Sequence, residues 1–311
     1  MKFNLRALLS LDFVEVNKAQ TSPIQYDNLY LVCHDNKPKD DIKAGHTLPR
    51  LGVVDISSGI YDPILLPDTD PLMKSKDLES VTWLHGNEYL ACESSGKCFH
   101  VRLIHRANGY ATETLRTLQL PVPKDRFFNI ESVGIKRTKG DVLNNVICYD
   151  HRGGINPGEE PWSRCAPFDI ETGEIGSFKE TSPSDPFAIA NKLNRAISDR
   201  TIGEKTGQSY FVATIDTEGS EGIPATQDNA YSFIYTVDQC IKYVDGDKIE
   251  ALYVTPDEQQ AIITTDNDRP NSEKICLFSL RNPNAEPICH HTIPYGIGGI
   301  APIKKLLIPK S

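Results

Sequence analysis

Three short segments of the chain place a glutamate in the same apolar setting. The segments and their glutamates are 77–81 with Glu79, 129–133 with Glu131, and 248–252 with Glu250. A fourth segment, 194–197, fits the pattern with Arg195 in place of the glutamate. A carboxylate inside an apolar phrase is costly to bury unless it is paired or bound to a metal ion. The repetition therefore predicts that these three side chains have the same role in the protein.

An apolar run that ends in an acidic residue follows each of these segments, and a further run of this kind lies near the N-terminus. The terminal acids are Asp35, Glu93, Asp150, Asp216 and Asp266. Carboxylate oxygens suit hard cations, and Ca²⁺ takes six to eight oxygen ligands. We therefore predict a Ca²⁺ site that draws on the repeated glutamates and on these terminal acids.

Three residues beside these acids could add catalysis. His34 precedes Asp35, and His151 and Arg152 follow Asp150. A histidine near a reacting water can act as a general base, and a guanidinium can bind an anionic substrate group. The alternative interpretation is structural: these residues form ordinary polar turns, and the strand-end acids accept hydrogen bonds that join one repeat to the next. Both interpretations stay open at this point.

The elements that would position these residues are short strands. Apolar or alternating runs, broken by Gly, Asn, Asp and Pro, recur with a period of about 50 residues. Four strands per unit, repeated about five times, predict an all-β fold, a single β-propeller of four-stranded antiparallel blades around a central channel. The predicted blades are 27–70, 71–122, 123–185, 190–246 and 247–294 of one domain spanning 1–311.

The ends of the chain leave the number of blades open. Segments 3–16 and 296–308 both have strand character, and one of them could complete the first blade as a clasp. Five blades are favoured, and six would result if both segments built an extra blade. Helix is expected chiefly near 185–193. In a propeller the first strand of each blade lines the channel, so we expect the acids to converge on one mouth of that channel.

Composition narrows the set of partners. The 311 residues carry a net charge of −9, which argues against nucleic-acid binding because that function needs a basic face. No apolar run approaches the length of a membrane span, and the N-terminal segment lacks the apolar region of a signal peptide. We therefore expect a cytoplasmic protein with no nucleic-acid or membrane partner. The eight cysteines are expected to be reduced, with Cys33, Cys92 and Cys148 buried in apolar runs.

The repeated phrases also resemble a known superfamily. Segments 77–96, 129–150 and 248–268 are similar to the repeats of the SdiA-regulated and esterase-like phytase β-propellers. Residue by residue, the family's repeated Glu and its strand-end acid match Glu79, Glu131, Glu250 and Asp266. Those families usually have Gly after the Glu, whereas this chain has Ser80, Ser132 and Ala251. The resemblance implies a calcium-associated propeller with its site at the channel mouth, and hydrolysis of an ester or phosphoester.

Two functions from different classes follow. The first is a binding or scaffold propeller, with an acidic, Ca²⁺-binding channel mouth that holds a small anionic ligand or a protein partner. The alternative is a metal-dependent hydrolase of an ester or phosphoester, in which the cation activates a water molecule. An open-coordinated metal beside a base would favour the enzyme, and a fully paired or empty ring would favour the binding protein.

Overall fold

The computed structural model describes most of the chain. The described residues are 28–64, 66–107, 109–122, 128–137, 145–152, 162–181, 195–215, 231–236, 238–245, 247–265, 273–290 and 295–304. Within them, strands form five antiparallel sheets of four strands each.

Each sheet is one blade. Blade 1 joins β1 (Leu29–Cys33), β2 (Leu51–Asp55) and β3 (Ile60–Ile64) to the C-terminal strand β20 (Gly299–Pro302). Blade 2 contains β4 (Leu78–His85), β5 (Glu88–Glu93), β6 (Lys97–Arg106) and β7 (Gly109–Gln119). Blade 3 contains β8 (Ile130–Lys136), β9 (Asn145–His151), β10 (Trp162–Phe168) and β11 (Lys179–Thr181). Blade 4 contains β12 (Arg195–Ile202), β13 (Ser209–Ile215), β14 (Tyr231–Tyr235) and β15 (Cys240–Asp245). Blade 5 contains β16 (Ile249–Val254), β17 (Gln260–Thr265), β18 (Ile275–Ser279) and β19 (Ile288–His290).

The inner strands of the blades close into a ring. Strands β20, β4, β8, β12 and β16 each lie at one edge of their sheet, and each packs against the next around the channel. The predicted β-propeller is confirmed, and it has five blades. Between neighbouring blades, apolar side chains of facing sheets form the core. Leu31 and Val53 of blade 1 pack in one buried cluster with Tyr89 and Phe99 of blade 2.

The C-terminal strand completes blade 1, as the clasp alternative predicted. Strand β20 pairs antiparallel with β1, from Tyr30 opposite Pro302 to Cys33 opposite Gly299. Two glycines allow it to approach β4. A Cβ on Gly298 would lie 2.5 Å from the Leu78 carbonyl oxygen, and one on Gly299 would lie 2.5 Å from the Val81 nitrogen. Because real side chains do not tolerate such contacts, any larger residue would push β20 out of the ring.

The helices differ from the prediction. The one α-helix among the described residues is α1 (Pro38–Ala44), which lies outside the segment near 185–193 where helix was chiefly expected. Its signals were present: a proline at its first turn, Asp40 and Asp41 beside it, and Gly45 in the left-handed region at φ 73° as its C-terminal cap. The predicted helix at 185–193 lies outside the described residues. No helix in the described residues is long and apolar enough to cross a membrane.

The expectation of reduced cysteines is wrong. Disulfides join Cys92 to Cys98, Cys148 to Cys165 and Cys276 to Cys289. Each pair occupies directly opposite positions on adjacent antiparallel strands, where side chains are close enough to bond. The apolar runs predicted burial, but they did not reveal which residues would face one another. Cys33 is a buried free thiol, and the side chain of Cys240 lies outside the described part.

Candidate functional site

Each repeated glutamate lies at a β-bulge. In blade 2, Leu78 pairs with Glu93 and Ser80 pairs with Cys92, so Glu79 is the extra residue of the inner strand. A bulge bends the strand and redirects the side chain at that point. The apolar phrase that recurs in the sequence therefore marks a place where the inner strand departs from regular pairing.

The same irregularity recurs in blades 3 and 5. The register of β8 skips Glu131, and that of β16 skips Glu250. In blade 4 the skipped residue is Ser198. The assignment of Arg195 to the glutamate position was therefore out of register, because short apolar phrases can be aligned at several offsets. The side chain of Arg195 lies outside the described part.

The three glutamates line one cavity at the mouth of the channel where the inner strands begin. We call this the first mouth. The cavity holds about 260 Å³. Its lining residues are Asp35, Lys37, Asp77, Glu79, Asn129, Glu131, Arg152, Lys248, Glu250 and Gly298. The predicted convergence of Glu79, Glu131, Glu250 and Asp35 is thus present in the structure.

Opposite charges neutralise part of this cavity. The ion pairs are Lys37 Nζ to Asp77 Oδ1 at 2.6 Å, Arg152 Nη1 to Glu131 Oε1 at 3.6 Å, and Lys248 Nζ to Glu250 Oε1 at 2.8 Å. Asn129 also donates a hydrogen bond of 2.5 Å to Glu131. Glu79 differs from the other two glutamates, because no described residue pairs with its carboxyl group or donates a hydrogen bond to it. Among the described residues, Lys37 is a cation whose charge acts on Glu79, but it forms its ion pair with Asp77.

Burial and mutual repulsion hold protons on these carboxyl groups. Removal from water raises the pKa of Glu79 well above its usual range, and the nearby charges of Glu131, Asp77 and Glu250 raise it further. Burial likewise raises the pKa of Glu131 to about 8, against the opposing effect of Arg152. Each carboxyl would ionise more readily if a positive charge entered the cavity.

Two of the predicted metal ligands lie elsewhere. Asp150 is completely buried, and it forms an ion pair of 2.6 Å with Arg200 of β12. Ser132 and Ser163 donate hydrogen bonds to its carboxylate, the first at 2.5 Å. Asp150 therefore joins blade 3 to blade 4 and does not line the cavity.

The Glu93 carboxylate also does not line the cavity, because it accepts hydrogen bonds from nearby residues of the same part of the chain. It accepts a hydrogen bond of 3.0 Å from the Lys76 backbone N–H and one of 2.8 Å from the Ser95 hydroxyl. Asp216 and Asp266 lie outside the described residues. Among the residues that the structure describes, no group of three His, Cys, Asp or Glu side chains could hold a metal ion.

The two histidines proposed as bases are buried away from the cavity. Tyr61 Oη lies 2.7 Å from His34 Nε2, and the Gly296 carbonyl lies 2.9 Å from Nδ1. Burial lowers the pKa of His34 to about 4, so the ring is neutral, with Nδ1–H as donor and Nε2 as acceptor. His151 is buried, with Nδ1 2.9 Å from the Asn129 nitrogen. Of the three residues predicted to be catalytic, Arg152 lines the cavity.

Besides Gly298, four polar lining residues were missed by sequence reasoning. They are Lys37, Asp77, Asn129 and Lys248. Asp77, Asn129 and Lys248 each stand two positions before a repeated glutamate. That spacing was a usable signal, because the repeat that predicts one lining residue also applies to the polar residue just before it. Lys37 comes from the turn before α1 and had no counterpart in other blades.

Comparison with known proteins bears on the fold alone. No protein-family model and no curated protein matches the chain. Among solved structures, it is similar to a protein of unknown function from Bacteroides caccae, at 12% identity and a TM-score of 0.44, over 89% of this chain and 99% of that chain. It is also similar to the periplasmic gluconolactonase PpgL of Pseudomonas aeruginosa, at 11% identity and a TM-score of 0.38, over 86% and 69% of the two chains. Neither similarity carries an argument about activity, and the resemblance to the SdiA-regulated and phytase-like propellers stays a prediction.

Proposed function

We propose that the protein is a binding propeller whose first mouth takes a small, hydrophilic, positively charged ligand. The observation that carries this proposal is Glu79, whose carboxyl group has no ion-pair partner among the described residues, in a cavity that four further carboxylates line. A positively charged ligand would supply that partner and would lower the pKa of Glu79 on binding. The cavity of about 260 Å³ suits a hydrated ion or a small amine.

Calcium is one candidate for this ligand. Whether it can bind depends on how many oxygen ligands the cavity offers. Ca²⁺ takes six to eight oxygen ligands. Glu131, Glu250 and Asp77 already have cationic partners in the cavity, so a bare ion would have to compete with these ion pairs. An organic ammonium or a hydrated cation would need fewer protein ligands. We therefore treat Ca²⁺ as one arm of the test and an amine as the other.

The test is a thermal-shift and calorimetric titration of the purified protein with CaCl₂ and, separately, with putrescine. At least one should raise the melting temperature by mass action, and EDTA should reverse the calcium effect. Glu79→Gln should weaken the response about tenfold or more, as expected for the loss of a charged partner. Glu171→Gln, at an exposed site away from the cavity, should leave it unchanged. If neither ligand binds the wild type, or if the two variants respond alike, the proposal is wrong.

Hydrolysis of an ester or phosphoester stays the alternative hypothesis. Arg152 lines the cavity and could hold an anionic group, whereas His34 and His151 would need to leave buried positions to act as bases. A panel of phospho- and carboxyl-ester substrates, assayed with wild type and Arg152→Gln, would detect such an activity. Turnover that the variant abolishes would favour the enzyme over the binding protein. A small anionic ligand or a protein partner at this mouth likewise stays a prediction.

A further inference from the structure

The opposite end of the channel has different chemistry. The inner strands end there, and we call this the second mouth. Two adjoining cavities, of about 50 and 170 Å³, share Arg137 and Glu204 in their linings. Trp83 from β4 and Tyr253 from β16 line the smaller cavity. Five carboxylates line the first mouth, whereas the smaller cavity here is lined mainly by apolar residues, together with Arg137, Arg200, Asp199 and Glu204.

Two cationic side chains lie against one indole ring at the second mouth. The Arg137 guanidinium carbon is 4.0 Å from the centroid of the Trp83 ring, and Lys304 Nζ is 4.1 Å from it. Glu204 forms an ion pair with Lys304. Arg137 donates a hydrogen bond of 2.6 Å to the Trp83 carbonyl, and no carboxylate among the described residues pairs with it. Around Trp83 the second mouth therefore has two cationic side chains, and Glu204, which is paired with Lys304, is the carboxylate whose charge also acts on Arg137.

The stacking of Arg137 prepares it for a planar anion. A guanidinium that lies on an aromatic face keeps its N–H groups in the plane of the ring system, where they can meet a carboxylate or phosphate in two parallel hydrogen bonds. Burial lowers the pKa of Arg137 from its usual value, against the opposing effect of the Glu204 charge. An anion bound beside Arg137 would stabilise the cation further.

Tyr253 provides a second, independent observation. Its side chain is 7% exposed, and its hydroxyl is buried without a hydrogen-bond partner in the described part of the structure. Buried polar groups are nearly always hydrogen-bonded, so this hydroxyl is a donor that awaits an acceptor. Tyr253 and Arg137 line the same cavity. The two groups therefore offer donors to one ligand.

We propose that the second mouth is a binding site for a small oxyanion, with Arg137 and the Tyr253 hydroxyl as its donors and Trp83 as the surface that orients Arg137. Glu204 is paired with Lys304, which weakens its repulsion of an anion. An inorganic phosphate or a small carboxylate held by both donors would lie in the smaller cavity, where it adjoins the cavity of about 170 Å³. This site is independent of the ligand proposed for the first mouth.

The experiment is calorimetric titration of the wild-type protein with sodium phosphate and, separately, with sodium citrate at constant ionic strength. Preference for phosphate would assign a phosphate-bearing ligand, and preference for citrate a carboxylate. Arg137→Gln should weaken binding about tenfold or more. Tyr253→Phe should weaken it by a smaller factor without lowering the melting temperature, because it removes a hydroxyl that has no partner in the free protein. The matched control is Arg281→Gln, at an exposed site on blade 5, which should bind like the wild type.

Tryptophan fluorescence tests whether the anion binds at the second mouth. The chain contains two tryptophans, so the Trp162→Phe variant leaves Trp83 as the single indole reporter. Anion binding should change its fluorescence with the same midpoint as the calorimetric curve. Absence of saturable binding up to about 10 mM of either anion, where the binding free energy becomes negligible for such a site, would overturn the proposal. So would equal affinity of the wild type and both site variants.

Discussion

The first mouth and the seams between the blades use acidic side chains in opposite ways. At the first mouth, Glu79 and Glu131 lie at bulges, and their carboxyl groups face a cavity. In the seam between blades 3 and 4, Asp150 is completely buried and is matched by Arg200 and by serine hydroxyls. Small differences of strand register decide between these two environments, because successive residues of a strand face opposite sides of the sheet.

This contrast separates stabilising acids from acids that can bind a ligand. A buried carboxylate whose counter-charge is built into the fold holds its elements together, and its loss leaves a buried charge unmatched. A carboxyl group that lacks such a partner contributes little to stability and can respond to a ligand instead. The predictions below follow from that distinction, beginning with the largest expected effect.

Asp150→Asn should lower the free energy of unfolding by about 3–5 kcal/mol, because it leaves the Arg200 guanidinium buried without its counter-charge. Denaturation by urea, followed by circular dichroism, measures this change. Glu79→Gln, the corresponding neutralisation at the first mouth, should cause no such loss. Equal destabilisation by the two substitutions would contradict the proposed difference between the acids of the first mouth and those between the blades.

Replacing the Cys148–Cys165 disulfide by two serines should lower the free energy of unfolding by about 2–4 kcal/mol. This disulfide belongs to the same seam, since Arg200 Nη1 lies 3.8 Å from Cys165 Sγ. In the native protein, both cysteines should resist alkylation until a reductant is added. Labelling of Cys148 and Cys165 under denaturing conditions without a reductant would restore the expectation of reduced thiols.

The same labelling experiment bears on where the protein works. Disulfides persist in oxidising compartments and are rare in the cytosol. The expectation of a cytoplasmic protein rested on the lack of a signal-peptide pattern, and the disulfides do not agree with it. Cytoplasmic localisation stays a prediction, and a protein isolated with its disulfides formed would count against it.

The pH dependence of stability should carry a contribution from His34. Its pKa is about 4 in the folded protein and 6.5 in the unfolded reference. The unfolded chain therefore binds the proton first, so the stabilisation is fully present above pH 6.5 and is lost as the pH falls towards 4. The loss amounts to about 3 kcal/mol. His34→Gln should show a correspondingly shallower decline in denaturation experiments between pH 7 and 4, and identical slopes would contradict this assignment.

Much of the fold could be predicted from the sequence, because repetition acts over the whole chain. The phrase around Glu79, Glu131 and Glu250 fixed the inner strands of three blades, and the closing role of the C-terminal segment was among the alternatives. The fourth blade shows the limit. Its bulge lies at Ser198. No glutamate marks that position, so the repeated pattern was matched to Arg195 instead.

The residues of the candidate site were predictable only where the same residue type recurs at the same position of each repeat. The bulged glutamates converge because equivalent positions of inner strands meet at one mouth. The strand-end acids do not share an equivalent position: Glu93 pairs opposite Leu78, whereas Asp150 pairs opposite Ser132, after the bulge. A rule based on the end of an apolar run cannot detect that offset. Partners from other blades, such as Arg200 for Asp150, become known only when the strands are in register.

The smallest expected effect is the sharpest test of the first mouth. Because the pKa of Glu79 is raised in the folded protein, the unfolded chain loses this proton first, and stability falls as the pH rises above about 4.3, the usual value for a glutamate. Glu79→Gln removes the ionisable group and should therefore be more stable than the wild type at pH 8 and indistinguishable from it at pH 4. Thermal unfolding of both proteins at the two pH values measures the difference. A blade-to-blade anchor would behave in the opposite way, since its neutral variant would be less stable at every pH. A variant that gains stability at high pH and also loses its response to cations would identify Glu79 as a binding group, whereas a variant that is destabilised throughout would make it a structural one.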